Sequence, residues 1–330
     1  MPTVTIVLPT LDERAHLRDC LDSLLAQDFA DVVEVLVVDG GSGDGTREVV
    51  EAAPDPVRLL DNPAVTAAAG MNVGIQAATG EVIVRADAHT LYAPDYVSRC
   101  VAVLEETGAA NVGGPMVAVG TNSFGRAVAA VTSSPLGVGP GRFHYATGRM
   151  DVETVYLGCW RRQTLLDLGG YDADHLQWAA EDQELNFRIR QGGGRVVLDS
   201  SIRSWYFPRS TPRALARQYR NYGLAKASTL AKHHTLPYWR PVVPALLVGA
   251  TAAAPLVFRR RRWLGLLPPV AWATGASVAA ARMGRQDGVA PHRALAALAI
   301  CHWCYGVGLW SGLGRIVTGR PFDQRPRNGR

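Results

Sequence analysis

The stretch Val32-Val-Glu-Val-Leu-Val-Val-Asp-Gly-Gly-Ser-Gly-Asp-Gly-Thr46 decides the fold. Its first seven residues are almost all apolar and β-branched, which predicts a strand that is buried on both faces. From Asp39 to Thr46 the sequence then predicts a glycine-rich loop that opens into a helix. Glycines allow positive φ angles and a close approach of the backbone to a ligand. We therefore predict a strand–loop–helix unit whose loop lies at a binding site.

Short apolar runs alternate with amphipathic stretches on both sides of this unit. Further strands are predicted at 3–8, 57–60, 81–86 and 154–157, and helices at 13–27, 64–78, 94–107, 181–190 and 212–232. This alternation predicts a mostly parallel sheet flanked by helices, an α/β, Rossmann-like fold. Ligands of such sheets bind beyond the carboxyl ends of the strands, so the loops after the first, second and fourth strands are expected to carry the chemistry.

The positive charge is concentrated in the last quarter of the chain. From Tyr238 onward there are 13 Arg against 2 Asp, a net charge of +11, whereas the first 237 residues carry 21 basic against 27 acidic residues, a net charge of −6. The arginines flank apolar stretches, so we expect a membrane surface as partner and no nucleic acid. Five scattered cysteines indicate no disulfide framework, and the start of the chain has no basic leader, so we expect no signal peptide.

Three uncharged apolar stretches follow, at about 242–258, 264–281 and 294–314. Each approaches the ~20 residues that a helix needs to cross a bilayer. A soluble helical bundle is the alternative, but these stretches have no polar face to present to water. We therefore predict a catalytic domain at 1–237 and a membrane-associated helical region with a basic tail at 238–330. The distribution of arginines favours a hairpin of the last two helices and a catalytic domain on the cytoplasmic face of the cell membrane.

Three acidic motifs are candidates for chemistry. Asp39, at a strand end, suits the N–H of a nucleobase or a ribose hydroxyl, although a glycine-rich turn with a helix cap has the same pattern. Asp87-Ala-His89 places a carboxylate and an imidazole on one side of a strand end, where they suit Mn²⁺ or Mg²⁺. The alternative for Asp87 is a capping residue in a turn.

The third acidic motif is Glu181-Asp182, at the start of a predicted helix. Acidic residues are favoured in a first helical turn for electrostatic reasons alone. The functional interpretation is a general base that faces the cleft, with Trp178 before it able to stack on a sugar.

Five short motifs, in their order along the chain, resemble those of family 2 glycosyltransferases with the GT-A fold. They are Pro9-Thr-Leu-Asp-Glu13, the Asp39–Thr46 loop, Gly70-Met-Asn72, Asp87-Ala-His89 and Glu181-Asp182. The whole chain most resembles the membrane-associated β-1,3-glucosyltransferases of succinoglycan-type exopolysaccharide synthesis. One departure is that the second Asp of the usual metal motif is His89. Another is that the Gln-x-x-Arg-Trp signature of processive synthases is missing, which favours transfer of a single sugar.

The resemblance implies a role for each matching residue. Asp182 is the expected catalytic base, and Asp87 and His89 are the expected ligands of a divalent cation, Mn²⁺ or Mg²⁺. Residues expected to bind the donor are Pro9, Thr10, Glu13, Asp39, Asn72 and Asp87. Residues expected to contact the acceptor or support the site are Gly114, Glu181 and Trp178.

The expected reaction is therefore an inverting, metal-dependent transfer of a sugar from a nucleoside diphosphate sugar, with UDP as the expected nucleotide. The expected acceptor is a lipid-linked or cell-surface glycan. Two alternatives stay open at this point. A sugar nucleotidyltransferase would need a glycine-rich loop with Arg and Lys after the first strand, where this chain has Pro9-Thr-Leu-Asp-Glu13. A non-catalytic membrane scaffold or glycan-binding module would not need Asp39, Asp87 and Asp182 together.

Overall fold

The computed structural model describes residues 1–139, 141–176, 179–235, 239–240, 242–257 and 262–322. The strands of this part of the chain are β1 (Val4–Thr10), β2 (Val32–Asp39), β3 (Val57–Asp61), β4 (Val82–Arg85), β5 (Thr90–Tyr92), β6 (Asn111–Gly114), β7 (Met116–Ala118), β8 (Arg149–Asp151), β9 (Tyr156–Arg161), β10 (Val196–Asp199) and β11 (Ser204–Tyr206). Its helices are α1 (Arg14–Leu25), α2 (Thr46–Glu51), α3 (Ala67–Ala77), α4 (Tyr96–Thr107), α5 (Ser123–Thr132), α6 (Pro135–Val138), α7 (Arg162–Asp167), α8 (Glu181–Gln191), α9 (Pro212–His233), α10 (Val242–Val257), α11 (Leu267–Gln286), α12 (Pro291–Ala299) and α13 (Tyr305–Thr318).

The central sheet has eight strands in the order β3-β2-β1-β4-β9-β6-β10-β8. The pairs β3–β2, β2–β1, β1–β4 and β6–β10 are parallel, as predicted. Strand β9 is inserted antiparallel between β4 and β6, and β8 is antiparallel to β10. The mostly parallel α/β fold is therefore confirmed. A second, three-stranded sheet has the order β5-β11-β7.

Alternation along β1 produces the two layers of the core. Val4, Ile6 and Leu8 face one side, where they pack with apolar residues of α1 and α4. Val7 faces the other side and packs with residues of α3, α7 and α8. Because side chains alternate along a strand, this apolar run buries both faces of the sheet. The sheet is thus covered by helices on both sides, which leaves the strand ends for ligands.

The chain divides into two compact units. The first unit contains Met1–Val117 and Arg142–Tyr206. It therefore holds the strands of both sheets, except for Ala118, the last residue of β7. The second contains Ala118–Gly141 and the chain from Phe207 onward. Helices α5 and α9 thus pack with the C-terminal apolar helices. The predicted functional boundary after residue 237 remains a prediction.

The core of the second unit consists mainly of small residues. Ala127 and Val131 of α5 share a cluster with residues of α9, α11 and α12. Where α9 crosses α13, a side chain at Gly223 or Gly308 would collide with the backbone of the other helix. These glycines therefore let the two helix backbones approach closely.

Among the described residues, two apolar helical segments are long enough to cross a membrane, Trp263–Gln286 with 24 residues and Pro291–Thr318 with 28. Their mean hydropathies are 1.3 and 1.4. The first of the three predicted stretches, at about 242–258, contains a shorter apolar helix in its described residues, Val242–Ala254. In the second long segment, residues Ile300–Cys304 form one π-helical turn between α12 and α13. These two segments coincide with the last two predicted stretches, and their arrangement as a membrane hairpin remains a prediction.

Candidate active site

The loops after β1 and β2 are joined to each other by hydrogen bonds. The Asp12 backbone N–H donates to Ser42 Oγ over 2.8 Å, and the Gly43 N–H donates to Asp12 Oδ1 over 3.0 Å. The Glu13 N–H donates to Thr46 Oγ1 over 2.9 Å. Asp12 itself has a positive φ of 54°, an uncommon conformation that these bonds hold in place. The two loops that are predicted to bind the sugar donor are therefore held together by hydrogen bonds.

Asp39 organises the glycine-rich loop from within. Its buried carboxylate accepts hydrogen bonds from the backbone N–H groups of Gly41 and Ser42, from Ser42 Oγ and from Arg47 Nη1. Burial raises the pKa of Asp39, but these hydrogen bonds outweigh burial and hold the pKa below its usual value. A carboxylate offers about four acceptor positions. Three of these hydrogen bonds are to Oδ2 and one is to Oδ1, so Oδ1 can accept a further hydrogen bond.

Pro9 and Thr10 lie at the end of β1, as predicted. A Cβ atom at Gly70 would come within 3.0 Å of Pro9 Cβ, so the glycine of the Gly70-Met-Asn72 motif is needed for packing against this proline. Thr10 is buried, and its Oγ1 atom has no hydrogen-bond partner in the described part of the chain. A buried hydroxyl without a partner is costly, so this atom is available to a ligand.

Asn72 forms a clamp on a neighbouring loop. Its Nδ2 donates to the Tyr171 carbonyl over 2.8 Å, and the Tyr171 N–H donates to Asn72 Oδ1 over 2.7 Å. Gly170, with φ of 72°, leaves the space that the amide occupies. The side chain predicted to bind the sugar donor thus uses both its amide nitrogen and its amide oxygen in hydrogen bonds to the backbone.

The predicted metal ligands Asp87 and His89 follow β4. The Asp87 backbone is fixed by Tyr92, whose hydroxyl accepts from the Asp87 N–H over 2.8 Å. The imidazole of His89 lies edge-on to Tyr206, and its Nδ1 is 3.1 Å from Glu13 Oε1. Glu13, predicted to line the nucleotide pocket, therefore orients His89.

A carboxylate and an imidazole are side chains that can bind a divalent cation such as Mn²⁺. A carboxylate on Nδ1 of a histidine is the usual way to orient Nε2 toward a metal. Within the described ranges there is no group of three or more His, Cys, Asp or Glu residues able to hold a metal on its own. Asp87 and His89 therefore remain the predicted ligands of a divalent cation.

Sequence reasoning missed Arg85, the last residue of β4. This buried arginine donates from Nε to Asp87 Oδ1 over 3.2 Å and from Nη2 to Glu181 Oε1 over 3.0 Å. Burial lowers the pKa of Arg85, but Asp87 and Glu181 outweigh it, so the guanidinium stays charged. The available signal was an arginine in an otherwise apolar strand, two residues before the metal motif.

The predicted base Asp182 lies in the first turn of α8, next to Glu181. Buried side-chain amides fix this helix, because Asn186 Oδ1 accepts from Asn111 Nδ2 over 2.7 Å and Asn186 Nδ2 donates to Thr154 Oγ1 over 2.8 Å. The structure thus pairs His89 with Glu13 and, through Arg85, Asp87 with Glu181, and Asp182 follows Glu181 in the chain.

Two other assignments have different outcomes. Gly114 ends β6, and a Cβ atom there would collide with the Ile202 carbonyl oxygen, so this glycine serves a close backbone approach. Trp178 lies outside the described residues.

Comparison with known proteins identifies the family. The model of glycosyl transferase family 2 matches residues 5–151. The succinoglycan biosynthesis protein ExoA of Rhizobium meliloti (strain 1021) is 31% identical over 320 residues, which cover 93% of this chain and 94% of the relative. The chain belongs to glycosyl transferase family 2, and it is therefore a glycosyltransferase by class.

Solved structures support the fold. The mannosyltransferase PcManGT from Pyrobaculum calidifontis, in complex with GDP-Man and Mn²⁺, has a TM-score of 0.58 at 21% identity and covers 94% of this chain and 87% of its own. S. aureus TarS 1-349, in complex with UDP-GlcNAc, has a TM-score of 0.52 at 15% identity and covers 99% of this chain and 95% of its own. The predicted GT-A fold is thus confirmed.

Proposed function

We propose that this glycosyltransferase moves a sugar from a nucleoside diphosphate sugar, with a UDP-sugar as the expected donor, to a lipid-linked or cell-surface glycan, with inversion at the anomeric carbon. One observation carries the proposal. The end of β4, with Asp87 and His89, and the start of α8, with Glu181 and Asp182, are joined through Arg85. One side of this arrangement suits a diphosphate and the other suits an acceptor hydroxyl.

The roles of the residues follow from their chemistry. Asp87 and His89 would hold a divalent cation, which when bound supplies positive charge to the departing diphosphate. Glu13 holds the imidazole of His89 in orientation. Asp39 shapes the loop that receives the nucleotide, and Thr10 Oγ1 offers it an unused hydrogen-bonding group.

Asp182 would accept the proton of the acceptor hydroxyl as its oxygen attacks the anomeric carbon. The new bond from oxygen to carbon forms while the bond from carbon to the diphosphate oxygen breaks, and the diphosphate leaves with the electron pair. Attack from the face opposite the diphosphate inverts the configuration, so an α-linked donor yields a β-linked product. A positioned general base contributes about 10²–10⁴-fold to the rate.

The expected setting is the cytoplasmic face of the cell membrane. Support comes from the two long apolar helices and from the name of the R. meliloti relative, which places that protein in succinoglycan biosynthesis. A lipid-linked acceptor and a membrane-held enzyme would share one surface, which favours their encounter.

The test is release of nucleoside diphosphate by the full chain, purified in detergent, from a panel of nucleotide sugars with and without Mn²⁺. We expect one donor to be turned over, at a rate that falls when the cation is removed by a chelator. Asp151→Asn is the matched control for Asp182→Asn, since Asp151 forms an exposed ion pair with Arg195. No turnover of any donor, with an extract containing glycan acceptors added, would contradict the proposed reaction.

A further inference from the structure

Arg85 joins the two sides of the proposed site but has no assigned role of its own in the proposed reaction. Its side chain is 9% exposed, and it lies at the end of a central strand between two carboxylates. The centre of its guanidinium is 5.8 Å from the centroid of the Tyr171 ring. A charge in such surroundings is stable only when it is paired and hydrogen-bonded.

The two partners of Arg85 are far apart in the chain. Asp87 is two residues away, on the loop that holds the predicted cation ligands. Glu181 is 96 residues away, directly before the predicted base. Since each bond uses a different nitrogen of one planar group, the guanidinium fixes the separation between the two carboxylates as well as their charge balance.

The surroundings of Arg85 are rigid on a third side. Tyr171, next to the guanidinium, is buried, and its backbone is clamped by both ends of the Asn72 amide. The backbone on this side of the guanidinium is therefore held in place. A lysine at this position would carry the charge, but a single ammonium group does not reproduce the planar, two-sided geometry.

We infer that Arg85 is a positioning residue that couples the cation-binding loop at Asp87 to the start of α8, and so sets the distance between the donor diphosphate and the base Asp182. This inference rests on the proposed function, because it assigns Asp87 to the donor side and Asp182 to the acceptor side. Its consequence is that transfer depends on the guanidinium through the placement of Asp87 and Glu181.

The test compares Arg85→Met, Arg85→Lys and the double variant Arg85→Met/Glu181→Gln as full chains in detergent. The double variant removes the carboxylate that Arg85→Met would leave buried and unpaired, so it keeps a folded form available. A misplacement of about 1 Å can cost about 10²-fold in rate. We expect kcat to fall about 100-fold in Arg85→Met and about 10-fold in Arg85→Lys.

Two further readouts separate positioning from a structural role. The losses in Arg85→Met and Glu181→Gln should not multiply in the double variant, because both variants break the same coupling. The concentration of Mn²⁺ that half-saturates binding, measured by the manganese spin-resonance signal with nucleoside diphosphate present, should rise in Arg85→Met but not in Glu181→Gln.

Arg149→Met is the matched control, because Arg149 also bridges two carboxylates, Asp199 over 2.6 Å and Glu106 over 2.8 Å, at none of the predicted site residues. It should leave kcat and Mn²⁺ binding unchanged. The inference is wrong if wild type is active and Asp182→Asn is not, while folded Arg85→Met behaves like Arg149→Met. It is also wrong if the losses multiply in the double variant. If the wild-type chain transferred no sugar, that result would instead contradict the proposed function.

Discussion

Replacement of Asn72 by alanine distinguishes a structural clamp from a donor contact. The motif predicts that Asn72 binds the donor, whereas its amide holds the backbone of Tyr171 through bonds of 2.8 and 2.7 Å. Asn72→Ala leaves the Tyr171 N–H and carbonyl without these partners. A buried group left unpaired costs about 1–3 kcal/mol. We therefore expect a loss of about 2–4 kcal/mol in the free energy of unfolding.

The assay is thermal unfolding of the detergent-purified chain, followed together with the donor KM. For a unit of this size 1 kcal/mol shifts Tm by roughly 2–4 °C, so the loss of about 2–4 kcal/mol corresponds to a decrease of about 4–16 °C. Asn72→Asp retains the acceptor for the Tyr171 N–H, so its Tm should lie between those of wild type and Asn72→Ala. The surface control Gln163→Ala, which loses one exposed bond to Asp167, should change stability by less than about 0.5 kcal/mol. An unchanged Tm with a raised donor KM would refute the clamp.

Two other predictions concern buried residues on the inner strands β2 and β6. Burial raises the pKa of Glu34, but bonds from Thr79 and others outweigh it and hold the pKa below its usual value; Glu34→Gln should therefore lose about 1–2 kcal/mol at pH 7. A carboxyl group whose pKa is lower in the folded than in the unfolded chain stabilises the fold at pH values above the unfolded pKa, and this effect is lost as the pH falls. The difference in Tm between Glu34→Gln and wild type should therefore shrink below about pH 4, which thermal melts over a series of pH values can check. Gly114→Ala should lower Tm by several degrees through collision with the Ile202 carbonyl, whereas Gly43→Ala, with open space around it, should change Tm much less; equal melting of the two variants would contradict the packing role of Gly114.

The parallel part of the fold could be predicted because its information is local. The apolar runs of β1, β2 and β4 and the helical periodicity between them are all legible in the sequence. The direction of β9 is not legible in this way, because an apolar run carries no information about its orientation. That strand pairs antiparallel with β4 across a separation of about 77 residues, which only the assembled sheet defines.

The site was predictable as a set of positions and less so as a set of contacts. Asp87, His89 and the Glu181-Asp182 pair stand where loops meet strand and helix ends, so their proximity follows from topology. The contact of Glu13 with His89, and the two bonds of Arg85, depend on side-chain geometry that spacing does not encode. Asn72 shows the reverse case, where a motif residue is occupied by a backbone partner 99 residues away.

The most direct test of the proposed mechanism is the kcat for sugar transfer by Asp182→Asn. The amide keeps the size of the side chain but cannot accept a proton as a base, so kcat should fall by about 10²–10⁴-fold. Donor KM and Tm should stay close to those of wild type, because Asp182 lies outside the donor-binding loops. A kcat equal to that of wild type, in a variant that melts like wild type, would contradict the assignment of Asp182 as the base.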